Sequence, residues 1–91
     1  MKIGRVDVQF ESSQVMYFEG FSNYTYIHFP SRKKLYARTL LIIENQQPEG
    51  FVRIHRKYYV NRKFIKTSDE KSVTLTNNET LPISRRRLKN L

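Results

Sequence analysis

The sequence predicts a mainly β protein: small antiparallel sheets with one short middle helix and one short C-terminal helix. Three observations lead there. Apolar and polar residues alternate with period two in several short stretches, as in half-buried strands. Gly, Asn, Pro and Ser separate those stretches at turn-like spacing. After Leu40–Ile43, four residues of Glu, Asn and Gln run without Gly or Pro until Pro48, which favours a short helix there.

Val6, Val8 and Phe10 alternate with Arg5, Asp7 and Gln9, which predicts a first strand. Glu11–Gln14 forms a turn, and Val15–Phe18 a second strand. Gly20–Asn23 supplies the next turn, with residue types that tolerate unusual backbone angles. Tyr24–Phe29 alternates again, with Thr25, Ile27 and Phe29 opposite Tyr24, Tyr26 and His28. Lys34–Ala37 is a further strand. Thr39 then stands as an N-cap for a helix towards Gln47, with Leu40, Ile43 and Gln47 on one face, although Leu40–Ile43 also fits a buried strand. Phe51–Ile54 is a strand, followed by a basic, irregular stretch from His55 to Asn61. Phe64–Thr67, Val73–Thr76 and Thr80–Ile83 are short strands joined by hairpin loops, and Pro82 puts the last at a sheet edge. Ser84 caps a short helix running from Arg85 towards Leu91.

The 91 residues suit one domain, and 38% apolar content with 13% aromatics argues against disorder. No cysteine is present, so disulfides, thiolate metal sites and Cys nucleophiles are excluded. The longest apolar runs, Val15–Phe18 and Leu40–Ile43, fall far short of the roughly 20 residues of a membrane span. Met1 and Lys2 are not followed by a signal-peptide core. A cytoplasmic protein is expected.

Seventeen Lys and Arg against eight Asp and Glu give a net charge of +9. That charge is concentrated. Residues 32–66 carry a net +8 and residues 85–91 a net +4, while residues 1–31 and 67–84 carry −1 and −2. Two basic segments of this kind suit a polyanionic partner. Catalysis has no support: His28 and His55 sit in no triad or metal spacing, the three glycines form no phosphate loop, and the carboxylates are scattered. Neither a cofactor nor a small-molecule substrate is implied.

The stretch from Phe51 to Lys66 interleaves cations with apolar residues that can bury. Arg53, Arg56, Lys57, Arg62 and Lys63 would thus stand on a rigid platform, able to offer forks to phosphates and base edges. In the tail, Arg85, Arg86 and Arg87 fall in the first helical turn, where cations oppose the helix dipole. An anion such as DNA phosphate would relieve that, and Lys89 extends the same basic end. Arg53 could instead pair internally with Glu19. His55 lies beside the apolar anchors and reads as packed and hydrogen-bonded, with DNA contact as the alternative. Asn61 reads as shaping the turn before Phe64, with the same alternative. His28 reads as structural or surface.

Three stretches together resemble a LytTR-type DNA-binding domain. The first is Val15-Met16-Tyr17-Phe18-Glu19-Gly20 with Asn23-Tyr24 and Ile27-His28. The second and most specific is Gly50-Phe51-Val52-Arg53-Ile54-His55-Arg56 through Val60-Asn61. The third is Leu81-Pro82-Ile83-Ser84-Arg85-Arg86. The spacing fits as well, so the resemblance covers nearly the whole chain. It implies a β-β-β sandwich of small sheets whose loops enter successive major grooves of double-stranded DNA, in a bacterial transcription regulator at the nucleoid. A second copy on repeated sites is also implied. Carried over by position, Thr25, Arg56 and Arg86 would read bases, with Asn23, Tyr24 and Lys57 on the backbone beside them. Lys57 stands where a small hydroxyl residue is usual, which adds a phosphate contact. Asn78 replaces the customary turn glycine, a conformation Asn tolerates. Members are usually output domains of response regulators; these 91 residues leave no room for a receiver domain.

Two other classes compete. A structured-RNA binder would use the six tyrosines as stacking platforms. A protein-interaction module would dock its basic face on an acidic partner and show no salt-dependent affinity for DNA.

Overall fold

A computed structural model describes residues 11–91, so the strand expected at Val6–Phe10 lies outside the described residues. A 3-10 turn at Ser12–Gln14 leads into a five-stranded antiparallel sheet. Its strands are β1 (Tyr17–Phe21), β2 (Tyr24–His28), β3 (Lys33–Tyr36), β4 (Phe51–His55) and β5 (Tyr58–Asn61), in the order β3-β2-β1-β5-β4. Helix α1 (Leu40–Asn45) connects β3 to β4. A second sheet holds β6 (Ile65–Ser68), β7 (Ser72–Leu75) and β8 (Thr80–Pro82) side by side in chain order. A 3-10 helix, Arg85–Asn90, ends the chain.

The period-two pattern decides which face each side chain takes. On one face of the large sheet, Met16, Tyr17, Val52, Ile54 and Val60 meet Val73, Leu75, Leu81 and Ile83 of the small sheet. On the other, Phe18, Ile27, Tyr36 and Tyr59 pack under Leu40 and Ile43 of α1. Each fully buried Ile or Phe contributes about 1.5–3 kcal/mol by leaving water. The ambiguous segment is a helix because Leu40 and Ile43, three apart, both reach that second core. Thr39 occupies its N-cap position without a side-chain hydrogen bond.

Two elements differ from expectation. The stretch expected to be irregular is a tight hairpin, since Tyr58–Asn61 is strand β5 and pairs with both β1 and β4. Its Tyr59 and Val60 serve opposite cores, a pattern the neighbouring charges disguise. The turn after β1 is shorter than expected, because Gly20 and Phe21 continue the strand. Ser22 takes the turn's left-handed backbone, with φ at +56°. Asn78 does adopt the conformation of a turn glycine, with φ at +72°.

The two sheets are tied by polar bonds as well. The Tyr17 hydroxyl donates to Glu79 at 2.6 Å while its ring stacks on His28 at 4.1 Å. His28 in turn bonds Glu19 at 2.8 Å, which places His28 in the structural role expected of it.

Candidate nucleic-acid interface

Register brings four chain reversals to one end of the large sheet. Phe21 pairs with Tyr24 across the β1–β2 turn, and His55 with Tyr58 across the β4–β5 turn. Those two turns are neighbours, because Gly20 N–H donates to the carbonyl of Lys57 at 2.8 Å. The β3–α1 connection reaches the same end, where the Thr25 hydroxyl donates to the Arg38 carbonyl at 2.8 Å. The start of the terminal helix does too, with Ser84 N–H bonded to the Ile54 carbonyl at 2.8 Å. Ile54 is the extra residue of a β-bulge between Arg53 and His55, so it has no partner across the β4–β5 ladder.

Exposed at this end are Asn23, Tyr24, Arg38, Arg56, Arg85 and Arg86, with Lys57 half-buried among them. The β4–β5 turn is held firmly for a loop tip. Lys57 N–H donates to His55 Nδ1 at 3.1 Å, and the Arg53 guanidinium reaches the carbonyls of His55 and Arg56 from behind. Burial, together with Arg56, Lys57, Arg87 and Arg53, pushes the His55 imidazole below its usual range, so the neutral acceptor form is favoured. Arg56 therefore projects from a fixed backbone, with Arg53, Lys57 and Arg87 near the same turn.

Several expected contacts are redistributed. Thr25, expected to read a base, is 0% exposed, and its hydroxyl is engaged with the Arg38 carbonyl. Side chains alternate along β2, and the exposed neighbour is Tyr24, at 44%. Asn61 is buried; its side chain accepts from Lys63 N–H at 3.2 Å and donates to the Val15 carbonyl at 3.0 Å, a cap and a clamp instead of a DNA contact. Arg53 pairs with Glu44 of α1 at 2.5 Å, not with Glu19, and its side chain is only 12% exposed. Arg62 and Lys63 follow β5 at the opposite end of the sheet from Arg56, and Arg62 donates to the Asn90 carbonyl at 3.0 Å. Lys89 sits near that far end of the terminal helix. Arg87 is half-buried near Arg53 and His55.

The terminal helix is docked along the edge of β4. Leu88 packs on the first core, and the Asn90 side chain donates to the Arg53 carbonyl at 2.9 Å. Ser84 holds the N-cap position, but its side chain makes no capping bond, and the buried hydroxyl lacks a hydrogen-bond partner among the described residues. Nothing in the sequence singles out Arg38. A lone arginine between a strand and a helix cap carries no signal until the Thr25 bond places it beside the turns.

Among the described residues no cluster of His, Asp or Glu could hold a metal, and no helix is long and apolar enough to cross a membrane. The family model of the LytTr DNA-binding domain matches residues 7–91. A solved structure of the LytTr DNA-binding domain of a putative methyl-accepting/DNA response regulator from Bacillus cereus superposes with a TM-score of 0.79 at 24% identity, covering 98% of this chain and 89% of that one. A search of curated proteins returns no match. The chain belongs to the LytTr DNA-binding domain family.

Proposed function

We propose that residues 1–91 form a single domain that recognises double-stranded DNA by sequence, as part of a bacterial transcription regulator acting in the cytoplasm at the nucleoid. The carrying observation is the Gly20–Lys57 bond, which puts the β1–β2 and β4–β5 turns side by side at the basic end. Arg56 and Arg86 are the base readers, each able to meet guanine with two hydrogen bonds at about 1–3 kcal/mol of discrimination. Asn23, Tyr24, Lys57 and Arg85 meet the backbone beside them, and Arg38 joins that set. Loops at this end enter successive major grooves of the duplex. A second copy occupies a repeated site.

The test is a selected duplex and its single-base variants, titrated at fixed salt. Arg86→Ala should flatten the preference at one position by roughly fivefold or more, the lower end of a bidentate contact. Unchanged preference would sink the base-reading role. Three of the six tyrosines, Tyr17, Tyr36 and Tyr59, are buried and cannot stack on bases, which counts against the RNA reading.

A further inference from the structure

Arg53 lies between Val52 and Ile54 of β4, both in the first core, so its side chain emerges on the face covered by α1. Withdrawing a guanidinium from water is costly and lowers its pKa, as burial does here. The group persists because each of its three nitrogens donates a hydrogen bond. Nε donates to the His55 carbonyl at 2.8 Å, one terminal nitrogen donates to the Arg56 carbonyl, and the other to Glu44 at 2.5 Å. The carbonyl of Arg53 itself accepts from the Asn90 side chain at 2.9 Å. One residue thus grips the β4–β5 turn, helix α1 and the terminal helix. A packing role alone would not require donors aimed at two successive carbonyls of a surface turn.

We propose that Arg53 is a positioning residue that sets where Arg56 stands relative to Arg86, and so governs which pairs of bases the domain reads together. The inference rests on the reading of Arg56 as a base contact. An Arg fork can hold two carbonyls and a carboxylate in one plane, whereas a Lys ammonium is a single point that cannot. Glu44 orients the fork from α1. The bulge at Ile54 creates the turn geometry that the fork then holds.

The test compares Arg53→Lys, Arg56→Ala and the double variant for preference between a selected duplex and its variants, with amide exchange at Lys57 measured alongside. Arg53→Lys should lower the preference at the base pair read by Arg56 by about tenfold, leave affinity for unrelated duplex nearly intact, and speed exchange at Lys57 but not at Ile27 in the second core. In the Arg56→Ala background it should lower the preference no further, since the two act as one unit. Arg53→Lys that weakens every duplex alike, or keeps full preference, overturns the proposal. Should Arg56→Ala itself leave preference unchanged, the base-reading role of Arg56 fails separately; unaltered Lys57 exchange in Arg53→Lys would then overturn the positioning role as well. If Arg53→Lys does not fold, Glu44→Gln serves in its place, with the same readouts and a smaller loss expected.

Discussion

His55 stands among Arg53, Arg56, Lys57 and Arg87, and burial adds to the cost of charging it. Its folded pKa lies below the reference 6.5, so the folded state binds its proton less readily than the unfolded chain does. The stability this provides is complete above about pH 6.5 and is lost as pH falls through the folded value. An NMR titration should place the His55 midpoint below that of a model peptide, and His55→Gln should reduce the loss of melting temperature on acidification. A midpoint at or above the reference would contradict the acceptor role at Nδ1. At this scale the sequence was informative about type and blind about direction. The period-two pattern put Thr25 on the side of Ile27, and the structure buries that side. Tyr24, on the opposite side, is exposed. The partner of Arg53 depended on α1, which no local rule reaches.

The terminal 3-10 helix tests the element scale. With three arginines in its first turn it is electrostatically unfavourable and far too short to persist alone. Tertiary contacts hold it: Leu88 on the core, Ser84 on the bulge and Asn90 on β4. Leu88→Ala should cost about 1–2 kcal/mol, below the 2–5 of a fully buried leucine because this one is only partly enclosed. A chemical-denaturation midpoint measures that cost. On DNA the same variant should weaken binding further, since Arg85 and Arg86 lose their fixed base. Strand β5 carries the complementary lesson. Charges at Arg56, Lys57, Arg62 and Lys63 flank four residues that alternate between two cores, and a pattern that short is hidden until β1 and β4 are seen on either side.

Over the whole molecule, the basic residues divide between two ends of one sheet. Arg38, Arg56, Lys57, Arg85 and Arg86 share the end with the turns, while Arg62 and Lys63 lie at the other. Removing one cation that meets a phosphate should flatten the slope of log affinity against log salt by about one unit. Lys57→Ala should therefore change the slope, and Lys63→Ala should leave it as it is; equal changes would mean that the duplex covers both ends. The sequence by itself determined the β class, the two basic segments, the motifs of the family and the left-handed turn at Asn78, because strand periodicity, charge and backbone freedom are local properties. Only the tertiary structure decided which cations stand together, that Thr25 is buried, and that Arg53 faces Glu44. Those outcomes depend on register and on which strand lies beside which, and both are set by burial of Phe18, Val60 and Ile54 between layers distant in the chain.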